Sequence, residues 1–459
     1  EIRDRLLALR AELARRGQGR AGDLPGALGQ ILTNATMLAI FWVVLSLYAT
    51  AAYRDLRQLA VLAASFALTV LGAWINLRFV SAAPELIPVP FAVMLIAVLF
   101  GGRLAMVAAL VLAALLGTQA AYGGQAAFYL AGVGGVAAAL GVRRIRRRSD
   151  LLTASGVVAA GFAIALLTVG LRYGWSLAEL GTGILRGGVN GLVSAALVTI
   201  ALPVFESGAR LTTDLTLLEL SDPNHPLLRR LATEAPGTYA HSIAMANLCE
   251  AACNAIGANG LLARVGCYYH DIGKLRRPQF FVENQGRGAN PHDKLKPEVS
   301  ANLIRNHVKD GLALAEEYRL PAVVRAFIPE HHGTQEIPFF LERARNRGGG
   351  EPPDPEVFRY PGPRPRSVET AVVMLADGVE AALRVLDDPS PEQVREAIEH
   401  LIEQRVKARQ LAEAPLTLAQ LERVREEFIR VLASMWHSRV DYPSSMGGIN
   451  AEWNAAPAS

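Results

Sequence analysis

Seven apolar stretches follow one another between residues 31 and 204, at about 31–52, 58–77, 86–101, 103–122, 125–142, 151–171 and 184–204. A helix rises 1.5 Å per residue, so about 20 apolar residues cross the roughly 30 Å of hydrocarbon in a bilayer. One such run reads equally well as a buried core helix, whereas seven in succession with short linkers read as a helical membrane bundle. Only a helix satisfies its backbone polar groups within each segment. The third run is the shortest and holds Pro88 and Pro90, and with the fourth it can form a tight hairpin through Gly101-Gly102-Arg103. No span centre carries an ionisable relay, Glu179 and Arg186 standing near an end, which argues against an ion-coupled transporter. Gly132, Gly134, Gly135, Gly187, Gly188 and Gly191 allow close helix packing in the fifth and seventh spans.

The basic residues set an orientation. With the end of the seventh span inside, the inner loops carry Arg54, Arg57, Arg103, Arg143, Arg144, Arg146, Arg147 and Arg148, and the outer loops only Arg78, Arg172 and Arg186. The excess favours a cytoplasmic C-terminal part. Arginines in the first 20 residues run against the rule, which weakens for segments attached to large translocated domains. The net charge of +4 is modest and comes largely from clusters beside membrane segments, so it gives no reason to expect DNA or RNA as a partner. Cys249, Cys253 and Cys267 form no C-x-x-C pair and read as reduced, buried thiols without chemistry.

Residues 1–30 are polar, Arg-rich and helix-prone. After Pro203 the character changes, and 205–230 reads as an amphipathic connector, with Leu211, Leu215, Leu218 and Leu220 helically spaced and Ser221-Asp222-Pro223-Asn224 as a stop and restart. Farther on, apolar residues recur at helical spacing in 241–256, 298–308, 311–318, 321–329, 367–386, 391–410 and 417–436, and no strand-period run competes. The Gly- and Pro-rich stretch from Gly348 to Pro365 reads as a loop, either a flexible connector or a lid over substrate. The expected division is 1–30, 31–204, 205–230, 231–445 and a tail, 446–459.

All nine histidines lie at or beyond His225. His241, the doublet His270-Asp271, His307, the doublet His331-His332 and Asp377 offer imidazole nitrogens and carboxylate oxygens, which suit iron, manganese or zinc. A carboxylate can also bridge two ions that sit close together. Successive ligand groups are far enough apart for one helix or helix pair each. Adjacent side chains such as His270 and Asp271 diverge by about 100° and can straddle two metals. His225, His292, His400 and His437 read as structural.

The pattern His241, His270-Asp271-Ile272-Gly273-Lys274, His307, His331-His332 and distant Asp377 resembles the HD-domain phosphohydrolases. More narrowly, Pro236-Gly237-Thr238-Tyr239, Phe280 to Gln285, Asn290 to Leu295, His307 to Gly311 and Phe358 to Pro363 resemble the seven-transmembrane-HD family, over nearly all of residues 31 to 445. The resemblance implies an all-α chain: a seven-helix transmembrane bundle and then a helical cytoplasmic HD-domain phosphohydrolase, in a bacterial inner membrane. The family carries a large extracytoplasmic domain before the bundle, so residues 1–30 are expected to be the remnant of a missing N-terminal sensor. Its characterised PgpH-type members hydrolyse cyclic di-AMP, and the expected reaction opens the ring to linear pApA. The implied ligand sets are His241, His270, Asp271 and Asp377 for one divalent ion and Asp271, His307, His331 and His332 for the other, with Asp271 bridging and manganese or iron as the metals. Asp271 and Lys274 are the implied catalytic residues, and Lys274, Arg277 and Lys309 would meet the phosphates.

Two departures stand out. Ala240 precedes His241 where the family often has paired histidines, and Gly333-Thr334-Gln335-Glu336 follows His332 without the Gly-Tyr-Pro of relatives that cleave cyclic di-GMP. Other readings of the same residues are a nucleotide-binding receptor, an HD hydrolase acting on cyclic di-GMP or an alarmone, and a transporter with a regulatory domain. A homodimer stays open.

Overall fold

The computed structural model describes residues 24–437 except 81–82, 123, 145–146, 148, 287–288, 348–351, 385 and 387–388. Most of the expected N-terminal remnant, Arg146, Arg148, the glycine run 348–350 and the tail therefore lie outside the described residues. The chain divides into two compact units after Thr216. Both are helical; among the described residues the β structure is one isolated bridge, Glu336 to Arg359.

In the first unit run α1 (Leu24–Tyr48), α2 (Thr50–Arg54), α3 (Leu56–Ile75), α4 (Val89–Phe100), α5 (Gly102–Gly117), α6 (Gln125–Gly141), α7 (Asp150–Tyr173) and α8 (Leu177–Ala209). Among the described residues four segments are long and apolar enough to cross a membrane: Pro25–Tyr48, Leu56–Val80, Asp150–Tyr173 and Leu177–Ala209. The expected third to fifth spans are shorter apolar helices, each reaching only about 25 Å. Pro88 and Pro90 delay the start of α4, and every residue of α4 from Val89 to Ala97 is buried. It packs against α3, α5, α6 and α8. A helix sheathed in protein need not match the hydrocarbon thickness itself. The long helices instead turn Leu71, Trp74, Leu171, Ile200 and Val204 outward, where acyl chains would solvate them. Gly101 alone, at φ 91°, joins α4 to α5, so the expected hairpin is present.

Small residues set how closely α6, α7 and α8 approach. Phe162 of α7 is 1% exposed. A Cβ on Gly134 would lie 2.6 Å from its Cζ, and one on Gly187 2.6 Å from its Cβ, so the ring fits only between two glycines. Gly132 and Gly188 have room for a Cβ and are not explained by this packing.

The end of α8 differs from expectation. The helix continues through Pro203 to Ala209 and is followed by Arg210 at φ 52°, so the first part of the expected connector belongs to it. Buried Glu206 accepts from the Thr213 backbone N–H at 3.2 Å, from the Thr213 hydroxyl, and from the Thr216 hydroxyl at 2.9 Å. These bonds lock the turn after α8. Arg186, counted above in an outer loop, lies inside α8, 3.5 Å from buried Glu85. The rest of the connector is α9 (Asp214–Leu220), the expected stop, and α10 (Pro226–Glu234).

The second unit contains α11 (Pro236–Ala255), α12 (Gly260–Tyr269), α13 (Pro297–Glu317), α14 (Ala322–Arg325), α15 (Phe327–Glu330), α16 (Pro338–Arg345), α17 (Val368–Arg384), α18 (Pro391–Lys407) and α19 (Leu418–His437). Periodicity missed α12, which is short, and divided α13, which runs through Gly311. One core joins Met245, Cys249, Val372 and Phe428, and another joins Leu231, Tyr269, Leu314 and Ile328. All three cysteines are buried and free, as expected.

The described part of the Gly/Pro-rich loop is a strap fixed to the unit rather than a flexible connector. Phe358 is 0% exposed and packs with Ala301, Phe340 and Leu341. The Ile337 N–H donates to the Phe358 carbonyl at 2.7 Å, and the Tyr360 N–H to the Gln335 carbonyl at 2.9 Å. Arg305 Nη1 donates to the carbonyls of Glu356, Val357 and Arg359 at 3.0–3.1 Å.

The Phe162 wedge gives a direct test. Gly187→Leu should destabilise the detergent-solubilised chain by about 1–3 kcal/mol through overpacking, read as a lower thermal midpoint, while Gly188→Leu should leave the midpoint unchanged.

Candidate metal centre

His241, His307 and Asp377 stand on three different helices and the doublets His270-Asp271 and His331-His332 follow two more, and two glycines permit the closest approaches. At the start of α11, the N–H groups of Gly237 and Thr238 donate to Asn284 Oδ1 at 2.9 and 3.1 Å, satisfying donors that the helix cannot pair itself. A Cβ on Gly237 would stand 1.8 Å from the Glu283 carbonyl oxygen, so only glycine fits. This fixes the turn that carries His241. After α12 the chain passes through His270 and Asp271 into a 3-10 turn, Ile272–Arg276. There a Cβ on Gly273 would stand 1.8 Å from the His307 carbonyl oxygen. The glycine lets the turn lie directly on α13 and brings Asp271 up to His307. His331 and His332 follow α15, and Asp377 lies within α17.

All seven expected ligands converge. Asp271 Oδ1 is 3.4 Å from His307 Nε2 and 3.6 Å from His331 Nε2. Its other oxygen, Oδ2, is 3.3 Å from His270 Nε2 and 4.0 Å from His241 Nε2. Asp377 Oδ1 lies 3.3 Å from His241 Nε2, and its Oδ2 3.9 Å from His332 Nδ1. Two groups result, each with donor atoms within 4.8 Å of one another: Asp271, His307, His331 and His332, and His241, His270 and Asp377. The two oxygens of Asp271 thus face different imidazole sets.

The polar atoms test whether these residues suit a metal. Asp271 Oδ1 and the Nε2 atoms of His270, His307 and His331 are buried without a hydrogen-bond partner. Buried polar groups are ordinarily paired, and four orphans gathered on the two sides of the Asp271 carboxylate need electropositive occupants. The other ring nitrogens are committed: the Nδ1–H groups of His270, His307 and His331 donate to the carbonyls of Cys267, Ile304 and Phe327 at 2.7, 2.6 and 2.9 Å. That bond selects the tautomer whose Nε2 lone pair points inward, as in metal-ligating histidine. The donor set therefore fits divalent cations.

Charge follows the same geometry. Burial, then His270, pushes the His331 imidazole down to about 3, and burial with the neighbouring imidazoles holds His332 well below its ordinary value. His307 is also lowered, chiefly by burial. Burial disfavours charge on Asp271, but Lys274, His270 and His307 overcome it and hold the carboxyl well below the usual range. His241 differs: burial opposes its protonation, yet Asp377 and Glu380 push it up to about 9.

Lys274 is neither solvated nor free. Its Nζ lies 2.7 Å from Asp271 Oδ2 and 2.7 Å from Glu283 Oε1. Against burial, these carboxylates push the ammonium well above its ordinary pKa. Arg277 and Lys309 are exposed, and among the described residues neither makes a hydrogen bond or ion pair to the site. Ala240 is exposed, while its neighbour His241 faces the centre. His292 Nε2–H donates to the Phe280 carbonyl at 2.9 Å, and His225 Nδ1 accepts from the Leu227 N–H, so both are structural; the His437 side chain lies outside the described residues.

Several residues of the site escaped sequence reasoning. Glu283 holds Lys274 and accepts from the Thr238 hydroxyl at 3.0 Å. Glu380 Oε2 lies 3.2 Å and Arg384 Nη2 3.3 Å from His241 Nδ1, and Tyr360 stacks on His332 with ring centroids 4.1 Å apart. Glu283 and Tyr360 belong to motifs already noted, and Glu380 stands three residues beyond Asp377 on the same helix. Each offered a signal, but only of spacing.

Residues 24–213 match a family described as 7TM receptor with intracellular HD hydrolase, and residues 238–382, which include all seven converging side chains, match the HD domain. Over 367 residues the chain is 39% identical to the cyclic-di-AMP phosphodiesterase PgpH of Bacillus subtilis (strain 168), covering 78% of this chain and 51% of that protein. It is 41% identical over 246 residues to PgpH of Listeria monocytogenes serotype 1/2a (strain 10403S), covering 53% of this chain and 33% of that protein. The crystal structure of the L. monocytogenes PgpH HD domain in complex with cyclic-di-AMP is 40% identical and matches 47% of this chain and 100% of its own, with a TM-score of 0.45. The chain spans about half the length of the Bacillus protein and a third of the Listeria one. With its long apolar helices and its His/Asp clusters, it is a multi-pass membrane protein and belongs to the family of 7TM receptors with an HD hydrolase domain.

Proposed function

We propose that the chain is a metal-dependent phosphodiesterase that hydrolyses cyclic di-AMP to pApA at the cytoplasmic face of the membrane. One observation carries the reading: four buried, partnerless donor atoms from Asp271, His270, His307 and His331 gather around the two oxygens of the Asp271 carboxylate. The substrate assignment rests on the PgpH relatives, and the cytoplasmic side on the basic inner loops.

His241, His270, Asp271 and Asp377 would hold one cation and Asp271, His307, His331 and His332 the other, with manganese or iron suiting this nitrogen and oxygen set. Such a pair, when bound, supplies a water of lowered pKa and neutralises charge that builds on a phosphodiester. The chain's own residues do the rest. Asp271, charged and buried, keeps the two halves of the site in register. Lys274 is clamped by Asp271 and Glu283 with one N–H direction left, so it meets a phosphate oxygen as a fixed positive charge. Its part is electrostatic. Arg277 and Lys309, on the exposed side, are placed by this reading at the second phosphate. In the overall reaction one water adds across phosphorus and the 3' oxygen: the P–O3' bond breaks, hydroxyl joins phosphorus, and a proton passes to the 3' oxygen. The product is the linear 5'-phosphorylated dinucleotide.

Incubating the detergent-solubilised chain with manganese or iron and a panel of cyclic di-AMP, cyclic di-GMP and an alarmone should give pApA from the first and little from the others. Turnover of another member of the panel would move the substrate, and no turnover with any first-row metal would sink the enzyme. Asp271→Ala should lose bound metal and activity together, measured by elemental analysis beside the assay. Lys274→Met should keep its metal but lose turnover on the order of 10²-fold, the loss of one electrostatic contact to the transition state.

A further inference from the structure

Three of the inward-facing histidines, His270, His307 and His331, lean on backbone carbonyls, whereas His241 leans on a side chain. Glu380 Oε2 lies 3.2 Å from its Nδ1 and Arg384 Nη2 3.3 Å from the same nitrogen, while its Nε2 faces Asp377 Oδ1 at 3.3 Å. Asp377, Glu380 and Arg384 stand at helical spacing on one face of α17, so a single helix supplies both the carboxylate in front of the imidazole and the one behind it. Arg384 Nη2 donates to Glu380 Oε2 at 2.5 Å, and its Nη1 lies 3.9 Å from Glu283 Oε2. Glu283 in turn holds Lys274, which holds Asp271. The circuit closes at Asp271 Oδ2, 4.0 Å from His241 Nε2. Carboxylates and cations thus alternate around the rim of the site.

We propose that Glu380 is a positioning residue for His241: it orients the ring, fixes the tautomer and strengthens Nε2 as a donor to the cation nearest Asp377. The proposal rests on the two-metal reading above. A carbonyl accepts the Nδ1–H without charge, but a carboxylate also stabilises positive charge developing on the ring, so His241 becomes the strongest imidazole donor of the set. Loss of such an outer partner typically lowers metal affinity by roughly 10- to 100-fold. Arg384 pairs with the same carboxylate and also lies 3.3 Å from His241 Nδ1, and its removal leaves Glu380 beside the ring. A plain salt bridge along α17, with no bearing on His241, would need Glu380 only for its ion pair with Arg384.

The two accounts differ in what they lose. Cobalt(II) is titrated into the full chain in detergent, wild type beside Glu380→Gln and Arg384→Met, with bound metal, the visible spectrum and the metal-free melting temperature recorded. Glu380→Gln should bind one ion as wild type does and the other roughly 10- to 100-fold more weakly, with an altered spectrum and an unchanged metal-free melting temperature. Arg384→Met, which keeps the carboxylate, should stay close to wild type in both affinities. Wild-type uptake of both ions by Glu380→Gln, or parallel losses of melting temperature and affinity in both variants, overturns the proposal. A wild type that takes up fewer than two ions overturns the two-metal site and Glu380's part with it. A two-metal wild type that leaves cyclic di-AMP intact overturns the substrate assignment alone.

Discussion

A carboxylate held inside a protein needs compensation, because taking a charge out of water costs several kcal/mol even after relaxation. Asp271 is that carboxylate here. It is 2% exposed, yet remains charged, with Lys274 at 2.7 Å and the rings of His241, His270, His307 and His331 around it at 3.3–4.0 Å. The arrangement of the second unit follows from satisfying it. α11, α13 and α17 each bring one side chain to the site and the segments after α12 and α15 two each, and the two apolar cores hold those helices at the required distances.

The close approaches are steric permissions. Gly273 allows the turn after Asp271 to touch the His307 carbonyl, and Gly237 allows α11 to begin against Glu283. The resulting network is continuous: Asn284 caps the helix of His241, and Glu283 in the same turn holds Lys274 and reaches Arg384. Tyr360, delivered by a strap that Phe358 anchors and Arg305 ties down, stacks on His332 and closes another side. The centre is thus enclosed by side chains with their own partners, which keeps the imidazoles in single orientations without relying on loop rigidity.

The first unit applies the same permission in an apolar setting. With little hydrophobic force between helices in lipid, packing contacts and hydrogen bonds hold the bundle. Phe162 between Gly134 and Gly187 supplies the first, and Asn190, whose amide donates to the carbonyls of Glu85 and Ile87 at 2.8 Å each, supplies the second. The latter bonds compensate the carbonyls freed where Pro88 and Pro90 interrupt the helix. The buried α4 can therefore be short and broken at its start, a liberty that a lipid-facing helix lacks.

How much of this could be read in advance divides along physical lines. Membrane segments, helical periodicity and the ligand inventory are properties of composition and spacing, so the sequence by itself determined an all-helical membrane chain and named the seven side chains that meet. Periodicity overran where burial replaced amphipathicity, as at the short α4, and stopped early where proline lay inside a helix, as at Pro203. Which oxygen of Asp271 faces which imidazole, the clamping of Lys274 by Glu283, the support of His241 by Glu380 and the fixing of the Gly/Pro-rich strap were decided only by the tertiary structure. They depend on distances between residues remote in the chain, and spacing along a sequence carries no information about direction across a fold.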